Sequence, residues 1–134
     1  MTARLTAIVV VALAAQHASA KECWTLTELK GYIAPSTDRY AFQPDKFSRP
    51  MVLCFNDDET GSVSGDDTHF ARIGASTLVG VVINKGIELV ESYQLDRVNG
   101  KILFAKSRIG TATLIPGGPD LVSASVGNAV RLRE

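Results

Sequence analysis

The chain has 134 residues, 46% of them hydrophobic, and its 14 basic and 14 acidic side chains balance to a formal net charge of zero. That length suits one compact domain with its own core, and nothing in the balanced charge points to nucleic acid, for which a basic face is the expected footprint. No segment reaches the roughly 20 consecutive apolar residues of a membrane-spanning helix, so no membrane span is expected.

The first 20 residues read as a secretory leader. Arg4 supplies a positive start, Leu5 to Ala15 an apolar stretch, and Ala18-Ser19-Ala20 a small-residue cleavage site before Lys21. The expectation is a single domain over residues 21–134, exported to the periplasm or released. Cys23 and Cys54 are the only cysteines. In an exported chain such a pair is expected to be a disulfide, and with no Cys-x-x-Cys and a single later histidine, His69, a metal or reactive-thiol role has little behind it.

Thr25 and Glu28 have capping-box spacing, and Trp24 and Leu29 have that of a hydrophobic staple, so a short helix is expected near residues 26–30. Gly31 would end it. Pro35, Pro44 and Pro50 make residues 34–50 a loop, with Tyr40 and Phe42 alternating as a short edge strand inside it. Met51 to Phe55 reads as a buried strand.

Residues 56–67 are acidic. Asp57, Asp58, Glu59, Asp66 and Asp67 form a loop suited to a basic protein partner. Asn56, Asp58, Thr60 and Asp67 fall partly in step with a calcium-binding loop. The match is poor: Asn stands first, Asp stands where a bidentate Glu is usual, and a strand precedes the loop where a helix belongs. No metal and no cofactor is therefore assigned.

Thr68 to Ile73 reads as a strand with His69, Ala71 and Ile73 on one side. Leu78 to Ile83 is apolar on both faces, as in a central strand covered on both sides, and Gly80 marks a bend or bulge in it. Residues 87–109 form a hairpin about Asn99-Gly100, the signature of a two-residue turn. That turn places Leu95 opposite Phe104, Tyr93 opposite Lys106 and Glu91 opposite Arg108. Ile87, Leu89 and Ile102 share their face, which is therefore the inner one. A final strand fits residues 121–132, broken at Gly127.

Short strands at nearly regular spacing imply an all-β domain: a small antiparallel barrel first, a sandwich second, with one short N-terminal helix. Two functions follow, neither enzymatic. One is an exported module that binds another protein, such as an envelope inhibitor or immunity-type protein, through the acidic loop. The other is a lipocalin-like carrier of a small apolar or amphipathic ligand held inside the barrel by Glu91, Tyr93, Lys106 and Arg108. A hydrolase built on His69 has least support, because nothing in the spacing ties a nucleophile to it. Oligomeric state is not legible in the residues.

Overall fold

The computed structural model describes residues 21–110 and 118–133. The proposed leader lies outside them. Nine strands follow in order: β1 (Glu22–Pro35), β2 (Gln43–Phe47), β3 (Met51–Phe55), β4 (Thr60–Val63), β5 (Asp66–Ile73), β6 (Thr77–Asn84), β7 (Ile87–Asp96), β8 (Lys101–Ile109) and β9 (Leu121–Arg131). Each of β3 to β8 pairs antiparallel with the next, β1 pairs with β3, and β9 returns to pair with β1. The result is a closed eight-stranded barrel of β1 and β3–β9, which leaves its members no free sheet edge. Strand β2 lies beside the second half of β1, over Leu29–Ile33, where β3 has ended.

The expected N-terminal helix is not there: β1 runs through it as strand. Leu26 and Leu29 are both buried although three positions apart, which is helical spacing. The cause is a β-bulge. Glu28 takes a left-handed backbone (φ 53°), and the register to β9 shifts between Thr27 and Lys30. One extra residue switches the inward set from Trp24 and Leu26 to Leu29 and Ile33. Tyr40 and Phe42 likewise lie outside the neighbouring strand, which begins at Gln43; Tyr40 sits in the turn with φ 59°.

The inner faces of β7 and β8 are those expected, but the pairing is shifted by two residues. Asp96 pairs with Lys101, so four residues, Arg97 to Gly100, form the loop. Asp96 Oδ1 accepts the N–H groups of Val98 and Asn99 at 3.1 and 3.0 Å, and only Gly100 of the loop takes a positive φ. A shift of two leaves every side chain on its face and changes its neighbour. Glu91 now opposes Lys106, Tyr93 opposes Phe104, Leu95 opposes Ile102, and Arg108 opposes Leu89.

Cys23 and Cys54 are directly opposed on β1 and β3 and form a disulfide. Strand β6 is not covered on both sides: Leu78 is buried, while Val81 and Ile83 on its outer face are 55% and 76% exposed. Nor does Gly80 mark a bulge, since the pairing of β6 with β7 runs through it without a break. Its role is close packing, because a Cβ there would lie 2.5 Å from Thr68 Cγ2 and 2.8 Å from Phe70 Cε1. Gly80→Ala is expected to lower stability by about 2 kcal/mol through overpacking, read by urea denaturation. Gly127 serves in the same way within a continuous β9, against Thr27 O and the Leu29 side chain.

The two ends of the barrel differ. At one, Trp24, Leu26, Leu53, Phe55, Leu78, Leu95, Ile102 and Ala129 fill the interior. Arg72 and Arg97 place their guanidiniums 5.0 and 5.3 Å from the centre of the Phe55 ring. Arg97 also donates to both oxygens of Glu22, to Ser76 Oγ and to Ala75 O, while Arg72 donates to the carbonyls of Asn56, Gly74 and Ala75. Two arginines thus join the turns and close this end. The hydrogen bonds from Arg97 hold the Glu22 carboxyl below its ordinary pKa.

Candidate functional site

The other end is open. Inward residues of β9 there are small (Ser123, Ser125 and, deeper, Gly127), and Gly80 on β6 adds no side chain. Space left by small inward residues becomes a cavity of about 600 Å³, within the ~300–1,000 Å³ range of small-molecule sites. Leu29, Ile33, Phe47, Met51, Leu89 and Phe104 give it apolar walls, and Asp45 and Arg49 stand among its lining residues on and beside β2.

Its polar centre is Glu91. The residue is only 2% exposed, and its Oε1 has no hydrogen-bond partner among the described residues. Lys106 Nζ lies 3.7 Å from Oε2, close enough to attract but too long for a good hydrogen bond. Asp66 and Thr68 approach from β5, and Asp66 Oδ1 accepts the Thr68 N–H at 2.9 Å. Two carboxylates can hold a hydrogen bond between them only when one carries a proton. Burial, then that bond to Asp66, raises the Glu91 pKa to about 7, with Lys106 opposing. Burial pushes Asp66 upward as well, but its bonds from Glu91 and Thr68 outweigh this and hold it below the ordinary value. Of the two, Asp66 is therefore the more acidic, and Glu91 the more reluctant to ionise.

Tyr93 completes the floor. Its ring meets Phe70 edge-on at 5.7 Å and lies tilted at 4.8 Å from Phe104, and burial keeps its hydroxyl protonated. Of the four residues expected to contact a ligand, the structure brings Glu91, Tyr93 and Lys106 together on this cavity. Arg108 is directed elsewhere: its Nη2 donates to Pro119 O at 2.9 Å, tying down the chain that leads into β9.

The chain matches no family model, no curated protein and no solved structure. The site has to be judged on its own chemistry.

The acidic stretch is not one surface. Asp57, Asp58 and Glu59 lie in the β3–β4 turn at the closed end, whereas Asp66 and Asp67 begin β5 at the open end, with all of β4 between. The four calcium candidates are divided in the same way. Asn56 Nδ2 donates to Thr60 Oγ1 at 3.1 Å, and Thr60 donates in turn to Asp58, while Asp67 sits exposed at the far end of β4. Among the described residues no cluster of three or more His, Cys, Asp or Glu side chains is placed to hold a metal. His69 stands exposed on the outer face of β5, one residue out of phase with Asp66 and Thr68. Among the described residues, no helix is long and apolar enough to cross a membrane.

Asp66 is the site residue that sequence reasoning misplaced. Its signal was strand parity: if His69, Ala71 and Ile73 share one face of β5, then Asp66, Thr68 and Phe70 share the other.

Proposed function

We propose that the protein is an exported, non-enzymatic binding protein that takes a small amphipathic ligand into the open end of its barrel. Of the two binding functions expected from the sequence, the carrier fits this geometry better. The observation that carries it is the buried carboxyl of Glu91, whose Oε1 has no partner among the described residues, facing a largely apolar cavity. A buried acid without full hydrogen bonding lowers stability, and the core at the closed end shows that this fold can be packed without one. Such a group is accounted for by a ligand that completes its bonds. Export is supported by the Cys23–Cys54 disulfide together with the leader-like start of the chain.

The test uses a neutral apolar fluorophore, N-phenyl-1-naphthylamine. One molecule is expected to bind per chain with a blue-shifted emission. Ser123→Phe, which fills the floor, and Leu89→Trp, which narrows the cavity above it, should each weaken binding by about tenfold or more, equivalent to ~1.4 kcal/mol. Val126→Ser on the outer face should leave it unchanged. Failure of the unaltered protein to bind, or equal binding by folded Ser123→Phe and Leu89→Trp, would overturn the reading.

A further inference from the structure

We infer that the ligand is an organic cation, a molecule with one ammonium group on an apolar body, its nitrogen bonded to the carboxyl pair of Asp66 and Glu91. This rests on the binding reading above and adds the chemical class.

Three observations lead to it. Charge comes first. The cavity is lined by three acids, Asp45, Asp66 and Glu91, against two bases, Arg49 and Lys106. With all ionised, the lining lacks one positive charge, which a monovalent ammonium supplies. The second is hydrogen bonding. Two buried side-chain atoms lack partners among the described residues, Arg108 Nε and Glu91 Oε1; the one in the cavity lining is Glu91 Oε1, an acceptor when ionised, so what the lining lacks is a donor. An ammonium donates up to three bonds, and bonds from a charged donor to a carboxylate are roughly twice as strong as neutral ones. The third is the surroundings of the acids. Tyr93 and Phe104 stand beside them, and aromatic faces attract cations.

An anionic ligand fits less well. Lys106 would welcome it, but the same group would have to approach two carboxyls, one of them buried. A neutral alcohol would fill the space and donate one weaker bond.

The ammonium also competes with a proton on Glu91. The charged or titratable groups facing the Asp66–Glu91 pair are Lys106 on β8 and Tyr93 on β7, with Asp45 and Arg49 further out around the cavity. Burial keeps Tyr93 protonated across the neutral range, so Glu91 sets the pH response. Binding of the cation should weaken as acid returns the proton to Glu91.

The experiment is isothermal titration of the full mature chain with three matched probes: 2-phenylethylamine, 2-phenylethanol and 3-phenylpropanoate. At about pH 8 the amine is expected to bind roughly tenfold or more tighter than the alcohol, with the carboxylate weakest. Glu91→Gln should remove the amine's advantage over the alcohol. Lowering the pH to about 5.5 should weaken the amine by roughly tenfold, and not the alcohol. The inference is overturned if the alcohol or the carboxylate equals the amine, or if Glu91→Gln leaves the amine's advantage intact. If none of the three binds while N-phenyl-1-naphthylamine does, the cation is wrong and the cavity still stands as a ligand site. If the fluorophore fails too, the binding reading itself goes.

Discussion

Glu91→Gln is expected to make the protein more stable at pH 8.5 and to leave it nearly unchanged at pH 5. The Glu91 carboxyl has a folded pKa of about 7, against an unfolded value near 4.5. A raised carboxyl pKa means that the folded state holds the proton more tightly than the unfolded chain does. Below the unfolded value both states are protonated, and Glu91 imposes no penalty. As the pH climbs from about 4.5 towards 7, the unfolded chain releases its proton while the folded one keeps it, and stability falls throughout that window. Above the folded value the loss is complete. At about 1.4 kcal/mol per pH unit it amounts to roughly 3 kcal/mol. Asp66 acts with the opposite sign and at lower pH: its depressed pKa contributes stability that is lost only as acid protonates it. Gln has no charge to bury and can donate to Asp66, so the variant should gain about 2 kcal/mol at pH 8.5. Urea denaturation of both proteins at the two pH values decides it. A wild type that is the more stable at pH 8.5 would make Glu91 a satisfied structural carboxylate.

Replacing both cysteines, Cys23→Ala with Cys54→Ala, should be the most damaging change outside the core. The bridge closes a separation of 31 residues, which in the chain-entropy account stabilises by about 3–4 kcal/mol. Its position adds to the effect. Strand β1 closes the barrel, yet meets β3 through only the pairs from Glu22–Phe55 to Leu26–Met51, and β3 and β4 are the shortest strands of the closed sheet. The disulfide crosses that seam. The double variant is expected to melt roughly 10–20 °C lower than wild type in a scan at neutral pH. A drop of only about 2 °C would show that the β1–β3 pairing holds the seam by itself.

Much of the architecture was legible, and the failures share a cause. Alternation along Ile87–Asp96 and Lys101–Ile109 gave the correct inner faces, because a strand's side-chain period survives any even shift in register. What it could not give was the partner across the hairpin. That depended on Asp96 capturing two N–H groups and opening Asn99-Gly100 into a longer loop. The bulge at Glu28 did more harm: one inserted residue turned strand spacing into the three-residue spacing of a helix. Apolar runs carry a similar ambiguity. Leu78–Ile83 reads as buried on both sides, yet Val81 and Ile83 lie on the open outer face of the barrel.

The candidate site was half visible. Glu91, Tyr93 and Lys106 stood out as polar groups on an apolar face, and they converge. Asp66 was hidden because its neighbours Asp57, Asp58, Glu59 and Asp67 make it look like part of a solvated loop. A four-residue strand, β4, carries the chain the length of the barrel wall between them and returns Asp66 to the cavity. The arginine closure over Phe55 was not visible at all, since it joins turns that are distant in sequence.

The open end of the barrel is the proposed binding place of a small molecule. The most direct test is an amide and side-chain NMR titration of the labelled mature chain with N-phenyl-1-naphthylamine. Shift changes are expected to concentrate at Thr68, Glu91, Tyr93, Phe104 and Lys106, leaving Trp24 and Arg97 at the closed end and Val81 on the outer face undisturbed. Changes centred instead on Val81, Val90 and Val126 would place the binding surface outside the barrel and contradict the account.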